Sequence, residues 1–427
     1  MIAVPGPLWR NRDFATLWAG QSVSLLGSQV TAFALPLVAA FSLGASAAQM
    51  GLLTAAEFAP SVALGLVAGV WIDRWPRRPV LIAADLGRAV LLGTIPAAAL
   101  AGVLGIGQLY TVALLAGALG LFADVGRDSL LPSLVGRAAL ADANGKLAIS
   151  ASFARVAGPG LSGALVQLLT APIALAVDAL SFLVSAACLS RVHPVEAPTA
   201  EAARGHSVRA SIGAGLRTVR GSPLLRAHTG ATALLNLFAG AITAVEMLFF
   251  TRELGVAPAV LGTVFAAASA ASVLGAAVAA RIAARFGVGP TMVGALVLFS
   301  LAHFPIALAA GPPGLVTALL VIGIGGVQLA YPVYGVGAAA LLQGVTPDHL
   351  LGRVSASVRF LLLGPPLVGA LAGGALGDAL GLRATVLLGA VGQLVPCLWL
   401  YLSPVRSLRQ PPANRPPPVP RGAAAPC

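Results

Sequence analysis

Apolar positions along this chain gather into long runs separated by short polar breaks. The runs fall at roughly 14–41, 48–72, 79–102, 106–126, 147–169, 172–190, 227–250, 257–280, 288–310, 313–338, 355–377 and 382–402. About 20 apolar residues in a helix cross roughly 30 Å of hydrocarbon. The pattern therefore predicts an all-α polytopic membrane protein with twelve transmembrane helices. The longest break, 191–226, divides the chain into a six-helix half at 1–190 and another at 227–403. That break is rich in Arg, Ala and Ser and reads as a solvated linker, with Ser207 to Arg220 as its best helical piece. The stretch 404–427 carries Pro411, Pro412, Pro416, Pro417, Pro418 and Pro420 and reads as an extended, disordered tail.

Composition narrows the class. With 58% hydrophobic and 9% charged residues, the chain has too little polar surface for a water-exposed globule. The formal charge of +12 would suit nucleic acid, but the arginines are scattered between apolar runs. Topology accounts for them instead. With the first residues in the cytoplasm, 22 basic residues fall inside, Arg252 and Arg383 fall outside, and Arg88 and Arg155 lie within spans. This positive-inside bias predicts that both termini and the linker are cytoplasmic, in a bacterial inner or plasma membrane. The first run reads as a retained helix rather than a signal peptide. Cys188 and Cys397 sit in apolar runs and Cys427 is last, so no disulfide or metal spacing exists. No nucleotide loop, metal cluster or nucleophile–base set is present, so the reading is not an enzyme, without cofactors and without in-chain ATP drive.

The halves repeat each other. Gly69 corresponds to Gly275 and Gly158-Pro159 to Gly364-Pro365 at one shared offset, which predicts two pseudo-symmetric six-helix bundles with a substrate cavity between them. Between the second and third runs stands Gly69-Val70-Trp71-Ile72-Asp73-Arg74-Trp75-Pro76-Arg77-Arg78. Its spacing and place resemble the signature loop of the major facilitator superfamily. The fifth run holds Gly158-Pro159-Gly160-Leu161-Ser162-Gly163, similar to the antiporter element of that superfamily with Ser162 replacing one glycine. Segments such as Ala84-Asp85-Leu86-Gly87-Arg88 and Pro347-Asp348-His349-Leu350-Leu351-Gly352-Arg353 look like the bacterial branch of siderophore (enterobactin-type) exporters and macrolide-type drug efflux proteins.

The resemblance implies a conformational latch. Asp73 would pair with arginines and with the N-terminal end of the eleventh helix, near Ser355, in the outward-facing state. Gly69, Arg74, Arg77, Arg78, Asp124 and Arg127 belong to that network, although Arg77 and Arg78 also read as topological anchors. The second copy is degraded, with Ala279 opposite Asp73. Gly158, Pro159, Gly163, Gly364 and Pro365 are read as a helix-packing motif. The chain lacks the mid-membrane arginine in the fourth span that many proton-coupled drug antiporters carry.

Charges inside spans are costly, about 2.5–3.5 kcal/mol each on insertion scales, and mark the candidate pathway. Glu57, some 14 Å into the second span, is the first candidate for a proton-coupling acid. Arg155 would pair with Glu57 or meet an anionic substrate, and Asp178 and Glu246 would line the cavity. Asp85 and Arg88 read as an i, i+3 structural pair and His303 as a packing residue. The implied function is a proton-coupled secondary exporter of a medium-sized amphipathic molecule, working as a monomer with a small-molecule substrate, protons and the lipid bilayer as partners. Movement of lysophospholipid between leaflets and a non-transporting sensor or scaffold are the alternatives.

Overall fold

The computed structural model describes residues 7–72, 75–193 and 208–409. Among them there is no strand. The twelve spans are Arg12–Ser42, Ala47–Ile72, Arg77–Leu100, Ile106–Gly136, 137–169, Ala171–Leu189, Pro223–Glu253, Pro258–Phe286, Val288–Ala307, Pro313–Val345, Asp348–Leu380 and Leu382–Leu402, numbered here from one to twelve. Spans 4 and 5 form a nearly continuous helical path broken only at Gly136, whose φ of 70° needs a glycine. The polar break expected at 127–146 is thus helical. Its carboxylate and amine pair along the helix, Asp142 with Lys146 at 3.0 Å.

Two other expectations are corrected. Span 11 starts at Asp348, a full two turns before its apolar run, after the helix-blocking Pro347. The linker contains a helix, Val208–Gly221, strongly amphipathic in sequence, which seats Gly215 against Arg353 and Ser357 of span 11. Burying Val219 with Val354 and Val358 explains why this piece is docked rather than solvated. The rest of the linker (194–207) and the tail from 410 lie outside the described residues. The tail's first residues fold, because a short turn at Pro404–Ser407 returns the backbone to span 9, where Gly289 N–H donates to Leu408 O at 2.8 Å.

The repeat shows in paired backbone irregularities, but its register differs from the one read in the sequence. Span 1 ends in a π-turn at Val38–Ser42 and span 7 in another at Phe249–Glu253. Gly44 and Gly255 follow with φ of 61° and 64°, and Thr170 and Gly381 close spans 5 and 11 with φ of 80° and 90°. Each pair is 211 residues apart. The Gly158 and Gly364 correspondence, five residues off this register, is a coincidence of composition. Gly158 packs on Gln29, whereas Gly364 faces open space.

The apolar core reveals how the halves meet. At the end remote from the arginine-rich loops, one buried cluster runs through both halves, from Phe33 and Leu37 to Phe249, Phe250 and Leu261. Phe33 meets Phe265 edge-on across the boundary at 6.1 Å. At the basic end the core splits into three clusters, one around Phe14 and Leu130 in the first half and two in the second, around Met292 and Leu341 and around Val354 and Val358. The halves are closed at the far end and parted at the basic end.

Candidate transport site

Two glycine crossings hold the far end shut. Gly163 of span 5 lies on Gly262 of span 8, and a Cβ added to either would stand 2.8 Å from the other's Cα. Gly51 of span 2 lies on Gly374 of span 11 in the same way, at 2.9 Å. The register of 211 exchanges one crossing for the other. Only glycine allows backbones this close. Gly163 of the predicted packing motif therefore does sit at an interface between halves.

Polar groups complete that closure. The N-terminus of span 2 has four N–H groups without helical partners. Ser46 and Gln49 cap one another reciprocally, at 2.9 and 3.3 Å, and Met50 N–H reaches Ser46 O. The N–H groups of Ala47 and Ala48 donate to the Asp378 carboxylate of span 11, at 2.8 and 3.1 Å, and Ser46 Oγ donates to it at 2.9 Å. An acid from one half thus caps a helix of the other, favoured by the helix dipole. Arg252 of span 7 crosses the opposite way and donates to Ala40 O at the end of span 1, at 3.1 Å. Arg383 pairs with Glu253 at 2.8 Å within its own half. Both basic residues that the sequence places on this side are therefore used, and Asp378 is the partner that sequence reasoning missed. Its signal was an acid one turn before Gly381.

Inside the first half, a cavity of about 230 Å³ is walled by spans 1, 2, 3, 4 and 6. Glu57 and Asp178 both line it, with Arg88, Ser28 and Thr31. Asp178 is only 1% exposed. Its oxygens accept from Thr31 Oγ1 at 2.5 Å and from Ser181 Oγ at 2.9 Å. Glu57 is open to the cavity and has no hydrogen bond or ion pair among the described residues. Arg88 lies in the field of Asp178, Asp85 and Asp124 without closing an ion pair, and its guanidinium stacks on Phe182 at 3.8 Å. Its Nε is buried with no partner. Asp85 lies beside Ser185 and in the fields of Arg88 and Arg127. Arg88 therefore lines the cavity with the two acids, and the charges it feels most are those of Asp178 and of Asp85 on its own helix, with an ion pair to neither.

Arg155 does not meet Glu57. It donates to Ser152 Oγ at 3.3 Å and faces a recess of about 410 Å³ against spans 8 and 10. Glu246 is half-buried on span 7, three residues past Thr243, and joins neither cavity. Of the expected latch, Asp73 and Arg74 lie outside the described residues, and Gly69 ends span 2. Asp124 and Arg127 pair with each other at 3.1 Å along span 4. Arg78 donates to the carbonyls of Leu189 and Ser190, tying span 3 to the end of span 6. His303 donates to Phe299 O at 2.9 Å, as a packing histidine would.

The family model described as transmembrane secretion effector, of the major facilitator type, matches residues 5–419. The chain belongs to the major facilitator superfamily. It is 29% identical over 404 residues to the multidrug efflux pump Tap of Mycolicibacterium fortuitum, covering 90% of this chain and 95% of Tap. The nucleoside transporter NupG has the same fold, with a TM-score of 0.77 at 12% identity over 91% of this chain and 98% of NupG. A bacterial homologue of the iron transporter ferroportin, solved in its inward-facing state, follows with a TM-score of 0.73 at 16% identity over 91% of this chain and 98% of that one. The chain shares the fold of these solved transporters, and this member of the superfamily is a multi-pass membrane transporter of a small molecule.

Proposed function

We propose that the chain is a secondary active exporter of a bacterial inner membrane, which uses the proton gradient to move an amphipathic molecule outward by alternating access. The basic end, both termini and the linker face the cytoplasm, so the parted state described here is inward-facing. Efflux is favoured by the relatives named as multidrug efflux pumps. Proton coupling rests on one observation, that Glu57 and Asp178 from separate spans share one cavity with a single arginine. Glu57 is about 15 Å from the start of its helix, close to mid-membrane. An ionised carboxylate there is expensive unless it is hydrated or paired. A state that opens the cavity to water favours the charged form, and a state that closes it favours the protonated one. Occupancy that differs between states is what coupling requires.

The test is transport in inverted vesicles with and without an imposed proton gradient. Wild type concentrates substrate only with the gradient. Glu57→Gln, which fixes a neutral group of the same size, loses uphill export and keeps downhill exchange. Uphill export by Glu57→Gln at the wild-type rate would place coupling elsewhere.

A further inference from the structure

Three adjoining recesses have volumes of about 410, 420 and 420 Å³; the first and third are lined from both halves and the second by spans 7, 10 and 11. Tyr331 and Gly335 line both the first and the second, while Ser355, Arg359 and Leu363 line both the second and the third. The second recess thus links the first to the third. Arg155 lines the first from span 5 and Arg359 the other two from span 11, one from each half, and both are exposed. Neither has a carboxylate partner among the described residues. No acid among the described residues lines any of the three recesses. In the first half, Glu57, Asp178 and Arg88 line a separate cavity.

The remaining lining explains what would accompany the charges. Gln328, Ser272 and Asn236 offer neutral hydrogen-bonding groups, and the ring of Tyr331 is 63% exposed. Val156, Phe360 and Leu363 supply apolar surface. Arg155 lies deep within span 5 and Arg359 about one turn inside the apolar part of span 11, and each guanidinium has five donors and a charge to satisfy. Two such groups without carboxylate partners, one from each half and opening into adjoining recesses, favour an anionic ligand there.

Resting on the transporter reading above, we propose that the transported molecule is an amphipathic organic anion, with a carboxylate or a similar oxyanion between Arg155 and Arg359 and an aromatic or aliphatic body against Tyr331 and Phe360. Charge would thereby separate the two tasks of the protein. The cation-lined recesses select the substrate, and the acid-lined cavity in the first half handles protons.

Pyrenebutyrate, its methyl ester and pyrenebutyl-trimethylammonium share one apolar body and differ in charge. Their binding to the full chain in zwitterionic nanodiscs, read by pyrene fluorescence against empty discs, tests the assignment. Wild type binds the anion at least about tenfold tighter than the cation. Arg155→Gln and Arg359→Gln each narrow that gap by about tenfold, and the Lys variants keep part of it because the charge remains while the planar fork is lost. Preference for the cation, no saturable binding of the anion, or an unchanged gap in both Gln variants overturns the proposal. Uptake of the same probes into inverted vesicles separates the two readings. Proton-driven uptake of the cation alone keeps the exporter and sinks the anion site. Anion binding without any gradient-driven uptake keeps the site and sinks the exporter.

Discussion

Asp178, Arg88 and Glu57 illustrate at the residue scale how burial decides chemistry. Asp178 is sealed in by two hydroxyls, Arg88 has a partnerless buried Nε, and Glu57 has the open side of the cavity to itself. Removing one member of such a group leaves the others uncompensated in a medium of low polarity, which is costlier than removing both. Arg88→Gln is therefore expected to lower thermal stability in detergent by an amount that Asp178→Asn, added to it, partly restores. The interaction should be about 1–3 kcal/mol in a double-mutant cycle. Strictly additive losses would show that the two do not sense each other. The sequence made the acids visible, since charges inside apolar runs stand out, but it could not say which charges share a cavity. Arg155 and Glu57 lie at similar depth and opposite sign, yet their helices turn them to different cavities, while Arg88, assigned to Asp85 by helical spacing, turns to Phe182.

At the scale of the helices, glycine placement distinguishes working contacts from composition. Gly163→Val inserts a branched side chain where 2.8 Å separates an added Cβ from Gly262 Cα. Overpacking of this kind costs about 1–3 kcal/mol, and the halves can relieve it by separating. Distances between spin labels on the far ends of spans 5 and 8 should lengthen, with transport reduced. Gly364→Ala is the control, since nothing lies within 4 Å of its added Cβ. Retention of the wild-type distance distribution by Gly163→Val would show that the crossing is not a closure contact. All twelve apolar runs were legible because a bilayer demands them, whereas their ends were not. Spans 4, 5 and 11 extend by polar turns beyond the apolar runs, the linker helix is held by tertiary packing, and a sequence repeat read from Gly-Pro pairs missed the true register by five residues. Small residues are too common in such chains for two matches to fix a register. Closely repeated backbone irregularities, such as the paired π-turns, fix it unambiguously.

Across the whole molecule, spans 2 and 11 run antiparallel and each carries an acid at its C-terminal end. Asp378 ends span 11 at the far side and caps the N-terminus of span 2 there. Asp73 follows span 2 at the basic side, where span 11 has its own N-terminus at Asp348. On the latch expectation Asp73 caps span 11 when the halves meet at the basic side, and that contact would form as the Asp378 cap breaks. The register supplies no duplicate of the far-side cap in the companion pair. Gln167 stands 211 residues before Asp378, and span 8 opens on Pro258, which has no N–H to satisfy. The burden of the switch therefore falls on spans 2 and 11. An N-terminal cap contributes about 1 kcal/mol, roughly a fivefold change in a two-state population. Asp378→Asn should then shift spin-label distances toward parting at the far side, while Asp73→Asn should shift them toward parting at the basic side. Both variants should insert normally and transport more slowly, because a carrier held in either state stalls. The double variant should return the population toward that of wild type without restoring the sharp two-state distribution. Shifts of the same sign in both single variants would mean that the two acids do not oppose each other, and that the resemblance between the two ends is one of sequence position alone.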